Sequence, residues 1–164
     1  MMAYILHVSH FSIVFVGSPS AFDLRGWWLT FLFKGIMKIA IVGGRDFNDY
    51  EKMVDYIFKR VIASHLTFGE IVSGGARGAD ALAKRFAEEY GHAYKEFPAD
   101  WETHGNRAGF LRNEQIIQYS DCCIAFWDGK SKGTKLTIDL CKRYNKPCYI
   151  CYYGNITAQK SLFE

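Results

Sequence analysis

From Met37 onward the chain reads as a three-layer α/β/α domain on a mainly parallel five-stranded sheet. Three observations predict it. Short β-branched or aromatic runs alternate with stretches of helical period. The strand-like runs are apolar throughout, as in strands covered on both faces. Glycine-rich segments follow three of them.

The elements follow in order. Residues 38–42 form an apolar strand running into Gly43 and Gly44. Residues 50–64 repeat Met53, Val54, Ile57, Phe58, Val61 and Ile62 at the spacing of an amphipathic helix. A short strand over 70–72 leads into Ser73-Gly74-Gly75-Ala76-Arg77-Gly78-Ala79-Asp80. The next helix carries Ala79, Ala83, Phe86, Ala87 and Tyr90 on one face and stops at Gly91, a natural C-terminal cap. Residues 94–97 give a third strand, ended by Pro98. Residues 106–120 are helical, with the apolar pattern broken at Arg112-Asn113. A fourth strand over 122–127 precedes a loop over 128–134, a helix over 135–144 and a fifth strand over 147–153.

Composition bounds the function. A chain of 164 residues with 49% hydrophobic and 23% charged residues suits one globular domain. A net charge of +3, with no block of like charges, argues against a dedicated nucleic-acid binder. Cys122, Cys123, Cys148 and Cys151 sit in strand-like runs. Cys148 and Cys151, three apart on a strand, face opposite ways and do not form a redox CxxC pair. Reduced core cysteines fit a reducing, cytoplasmic compartment.

Residues 1–36 differ from the rest. They hold three charged side chains, Asp23, Arg25 and Lys34, beside eight aromatics, with no clean helical or strand period. No basic residue precedes the apolar stretch, as a signal peptide would require. The apolar run over 27–33 is too short to span a bilayer, which takes roughly 20 residues. Two readings stay open: translated upstream sequence before a true start at Met37, or a genuine amphipathic or membrane-docking extension. Residues 37–153 then form the domain and 154–164 a C-terminal tail.

Strands of a parallel sheet all exit at one edge, where ligands bind. Gly43, Gly44, Arg45 and Asp46 follow the first strand, and the Ser73–Asp80 segment follows the second. Asp128, Ser131, Gly133 and Thr134 follow the fourth. Glycines let a ligand approach backbone N–H groups, and the second and third loops each open a helix whose N-terminus favours an anion. The three loops are therefore expected to converge on a phosphate or ribose. No GxGxxG opens the first helix, no GxxxxGK[ST] occurs, and no His-Cys cluster has zinc-ligand spacing. Neither a metal nor a cofactor is expected.

Gly43-Gly44-Arg45-Asp46-Phe47, the Ser73–Asp80 segment and Phe97-Pro98-Ala99-Asp100-Trp101 together resemble the YspA-type branch of the SLOG superfamily. So do His104-Gly105-Asn106-Arg107-Ala108-Gly109, Arg112-Asn113, and Ala125-Phe126 followed by Ser131-Lys132-Gly133-Thr134. The likeness runs in order from about residue 37 to 150 and leaves out residues 1–36. It implies a Rossmann-like fold and a site for a nucleotide-derived ligand. Related proteins include cytokinin-activating phosphoribohydrolases, the single-strand-binding DNA-processing protein A and sensors of NAD-derived signals.

The resemblance also implies roles. Gly74, Gly75 and Gly78, with Ser73 and Ala76 in the same loop, cradle phosphate, as do Gly133 and Thr134. Arg112, beside Asn113, contacts the ligand. Asp80 either accepts from ribose hydroxyls or caps its helix, and Arg45 and Asp46 either touch ligand or brace their loop. Trp101 and His104, in a loop, either cover a base or are a packed tryptophan and a solvated histidine. Phosphoribohydrolases carry a glutamate three residues after their Gly-Thr, where this chain has Thr137, which cannot serve as a carboxylate acid or base. The expected function is binding of an ADP-ribose-like ligand or nucleoside monophosphate by a sensor or sequestering module. N-glycosidic hydrolysis or transfer, and single-stranded nucleic-acid binding, are the alternatives. A small nucleotide-derived ligand is the expected partner, no membrane is involved, and homo-oligomerisation is left open.

Overall fold

A computed structural model describes residues 3–8, 11–16, 37–64 and 67–154. Its contacts divide the chain into a unit over 1–34 and a unit over 35–164. In the first, β1 (Ala3–Val8) pairs antiparallel with β2 (Phe11–Val16), from Ala3 opposite Val16 to Val8 opposite Phe11. The apolar run over 27–33 lies outside the described residues, as do 155–164.

The second unit runs β3 (Met37–Gly43), α1 (Tyr50–Ser64), β4 (Phe68–Ser73), α2 (Ala79–Tyr90), β5 (Ala93–Glu96) and α3 (Trp101–His104). It continues through a 3₁₀ turn (Gly105–Arg107), α4 (Ala108–Tyr119), β6 (Cys122–Trp127), α5 (Lys132–Arg143) and β7 (Cys148–Tyr152). The five strands pair in parallel in the order β5-β4-β3-β6-β7. The chain thus winds one way from β3 and then returns to the other side of it, leaving a switch point between β3 and β6.

Strand alternation builds the two cores. Ile39, Ile41, Cys122, Ile124 and Phe126 pack with Met53 and Ile57 of α1 and with Ala79, Ala83, Phe86 and Ala87 of α2. Ala40, Val42, Cys123 and Ala125, pointing the other way, pack with Ile116 and Ile117 of α4 and with Ile138, Leu140 and Cys141 of α5. Cys151 belongs to the first cluster and Cys148 borders the second, so the two do face opposite ways.

Helix ends follow from their caps. Gly91 closes α2 in the left-handed conformation at φ 69°, as expected. Several boundaries shift by one to three residues from the sequence reading, and two of the differences follow from caps. Trp101 and His104 are not in a loop but in α3, because Asp100 accepts a hydrogen bond from the Thr103 N–H at 3.0 Å and caps a helical turn. Helix α5 begins three residues earlier than expected because Ser131 caps it, accepting from the Thr134 N–H at 3.4 Å.

Because the five-stranded unit carries both of these cores, a chain beginning at Met37 is expected to match the full chain in solubility and melting temperature. Differential scanning calorimetry of the two checks this. A truncated chain that aggregates, or melts far lower, would show that residues 1–36 stabilise the domain.

Candidate functional site

The ends of β3, β4 and β5 border an open cleft of about 460 Å³, within the usual size range of small-molecule sites. Gly74, Gly75, Ala76 and Arg77 line it, with Glu96 packed against Gly75 and with Pro98 and Ala99. Arg45, Trp101 and Arg112 complete the lining. Arg45, Arg77 and Trp101 are exposed, Trp101 by 53%. Glu96 also reaches solvent, with the Tyr94 hydroxyl donating to its Oε2 at 3.4 Å.

Arg112 organises the floor. It projects from α4, where the apolar pattern breaks, and lies against Gly74 so closely that any side chain there would overlap its guanidinium. Its Nη1 donates to the Gly74 carbonyl at 2.5 Å and lies 3.4 Å from Asp80 Oδ2. Both side chains of this pair are largely buried. Asp80 also accepts from the Ala76 N–H at 3.3 Å. Burial pushes the Asp80 carboxyl above the usual range, and the Arg112 guanidinium partly offsets the rise. Two buried side-chain polar atoms lack partners, one of them on a residue that lines the cleft. Arg112 Nε is buried without an acceptor, and the Ser73 hydroxyl lies near Tyr94 without a well-formed hydrogen bond. Buried donors are normally satisfied, so the unpaired Nε of cleft-lining Arg112 suits an acceptor brought by a ligand.

The remaining predicted residues take other places. Gly43 and Gly44 are scaffold. A Cβ at Gly43 would lie 2.5 Å from the Phe126 carbonyl and 2.7 Å from the Ala79 Cβ. Gly44 donates to the Phe126 carbonyl at 3.1 Å and accepts from the Ala79 N–H at 3.2 Å, tying the first loop to β6 and to the start of α2. Gly78, with φ 81° and ψ −131°, crosses directly against Gly44 and Arg45. Asp46 accepts from the Tyr153 hydroxyl at 2.7 Å and braces its loop through that partner.

The third loop shares the edge of the sheet but does not line the cleft. Asp128 Oδ1 accepts from the Lys130 and Ser131 N–H groups at 2.9 and 2.7 Å. Slight burial raises this carboxyl, but those backbone donors outweigh it and hold it below the usual range. Ser131 and Thr134 bond each other at 3.1 Å, and Asn113 reaches the Gly133 carbonyl at 3.5 Å. Thr137 is buried and donates to the same carbonyl at 3.1 Å.

Sequence reasoning missed Arg77, Glu96, Pro98 and Ala99 as lining residues, and left Trp101 undecided. A signal existed: residues 94–97 were expected to end at the ligand-bearing edge, which puts Glu96 and the chain after it there.

Comparisons agree with this architecture. A sequence model of the YspA, cpYpsA-related SLOG family matches residues 37–104. The Gene 61 protein of Mycobacterium phage D29 is 36% identical over 104 residues, covering 60% of this chain and 82% of that protein. The structure of DNA processing protein A from Helicobacter pylori, reported for its single-stranded DNA binding mode, has a TM-score of 0.52 at 24% identity. The similarity covers 70% of this chain and 64% of that one, and it bears on the fold alone. With its motifs in order along a parallel Rossmann-like sheet, the chain belongs to the YspA, cpYpsA-related SLOG family.

Proposed function

We propose that this protein binds a nucleotide-derived ligand, a nucleoside monophosphate or an ADP-ribose-like molecule, as a cytoplasmic sensor or sequestering module. The observation that carries the reading is the buried, unspent Nε of Arg112 at the floor of a cleft rimmed by Arg45 and Arg77. Three arginines beside the backbone of a glycine-rich loop suit a phosphate, and the exposed indole of Trp101 offers a face for a base. Family membership supports a nucleotide-related role. Among the described residues, no helix is long and apolar enough to cross a membrane.

Calorimetry with AMP, NAD and ADP-ribose tests the reading. At least one should bind at micromolar concentration, one per chain. Arg45→Ala and Arg77→Ala should each weaken it about 10- to 100-fold, the 1.5–3 kcal/mol of a hydrogen bond to a charged group. Both side chains are exposed, so these variants probe binding without disturbing the core. Affinity unchanged in both would move the ligand away from this cleft.

One observation favours a second reading. Glu96 is a carboxylate in the cleft, packed against Gly75 of the glycine loop, in a chain where Thr137 stands in place of the phosphoribohydrolase glutamate. General acid–base help is typically worth about 10² to 10⁴ in rate. Free base released from AMP or NAD, and lost in Glu96→Gln, would establish a glycosidic hydrolase. Ligand recovered intact after hours would support the binder. A polythymidine oligonucleotide in the same calorimetry tests single-stranded DNA, for which arginines beside an exposed aromatic are also suited.

A further inference from the structure

A second cluster of reactive side chains lies at the opposite edge of the sheet from the cleft. Cys123 is the second residue of β6 and Cys148 the first of β7, and the two are register partners in the parallel pair. Register partners project to the same face, here the face covered by α5. Cys141, in the last turn of α5, sits over them. The three Sγ atoms all lie within 4.8 Å of one another. Cys123 and Cys141 are buried, whereas Cys148 is only half-buried and opens the cluster towards solvent. Separations of 18 and 7 residues along the chain disguise the convergence, and the sequence alone gives no expectation of a metal.

We propose that Cys123, Cys141 and Cys148 form a three-sulfur site for a soft d¹⁰ cation, Zn(II) or Cu(I), independent of the nucleotide cleft. The donor set selects the ion class: three thiol sulfurs prefer a soft or borderline cation to Mg²⁺ or Ca²⁺. The spacing is compatible. With metal–sulfur bonds of about 2.3 Å, sulfurs sharing one ion lie roughly 4 Å apart, so the cluster closes with a shift below about 1 Å. The site sits on two adjacent strands and a packed helix, so little chain ordering remains to oppose binding. Each thiol gives its proton to solvent as the ion enters, and water supplies any ligand beyond the three sulfurs.

The test is titration of the reduced, chelator-treated full-length protein. Cd(II), a spectroscopic stand-in for Zn(II), should bind at one equivalent with a sulfur-to-metal charge-transfer band. Cu(I), added anaerobically against a chromogenic chelator, identifies the monovalent preference if it binds and Cd(II) does not. Cys148→Ser, at a half-buried position that tolerates a hydroxyl, should lose more affinity than the roughly 10- to 100-fold typical of an outer-shell partner. Cys151→Ala, on the opposite face, should bind as wild type does. Absence of one-equivalent binding for both ions in the wild-type protein would overturn the proposal without recourse to any variant. Undiminished affinity in Cys148→Ser, or equal loss in a folded Cys151→Ala, would overturn it as well.

Discussion

Arg112→Ala is expected to destabilise the protein by roughly 3–5 kcal/mol near neutral pH and by much less near pH 4. Removing one partner of a buried pair leaves the other charge uncompensated, and Asp80 is the buried partner left behind. The folded-state pKa of Asp80 is already raised by burial, and Arg112 supplies the largest opposing pull. Without Arg112 the folded value climbs further. Below the unfolded value the carboxyl is protonated in folded and unfolded chains alike, and the pair contributes nothing. As pH rises through the folded-state values, both proteins lose stability from this group, and the variant loses more. Urea unfolding at about pH 4 and pH 7.5 reads the difference directly. A gap between the two proteins that does not widen with pH would mean that Asp80 is not the group responsible. Arg112→Lys should recover part of the stability but little of the ligand affinity, because an ammonium lacks the guanidinium fork that spans Gly74, Asp80 and an incoming acceptor.

This dual role shows how far the sequence could be read. The Arg112-Asn113 step interrupts an apolar helix pattern, and the family resemblance gives Arg112 a ligand contact. Its tie to Asp80, 32 residues away, depends on the winding of the chain and has no local signature. The same limit explains the third loop. Parallel strands share an exit edge, so convergence of three loops was a fair expectation. The order β5-β4-β3-β6-β7 instead sets the loop after β6 on the far side of β3 from the strands that border the cleft. Asp128, Ser131 and Thr134 meanwhile spend hydrogen bonds on their own turn and cap. Glycines carried a related ambiguity. Gly43 and Gly44 have the composition of a phosphate loop, but the constraint on them comes from Phe126, Ala79 and Tyr153. The five strands of the parallel sheet and most of the helices were legible because their patterns are local. Side-chain meetings across the sheet, including the three cysteines, were not.

The scaffold glycines lead to the second large expected effect, Gly78→Ala. Gly78 joins the phosphate-loop candidate to α2 with φ 81° and ψ −131°, backbone space that is close to glycine-only and costs another residue about 1–3 kcal/mol. A methyl group there also points into the Gly44 carbonyl and the backbone of Arg45, which have no rotamer through which to yield. Overpacking of this kind typically adds about 1–3 kcal/mol. The combined loss, roughly 2–6 kcal/mol, is a large part of the 5–15 kcal/mol that holds a typical domain together. Gly133→Ala is the matched control, since a Cβ at that helical position meets nothing within 4 Å. It should leave the midpoint unchanged or raise it slightly, because alanine favours a helix over glycine by about 1 kcal/mol. Thermal unfolding followed by far-ultraviolet circular dichroism compares the three proteins without any ligand. A Gly78→Ala protein that melts with the wild type would mean that the first and second loops do not cross as closely as Gly44, Arg45 and Gly78 require. The floor beneath Arg112 would then have to be rebuilt around a different path of the chain.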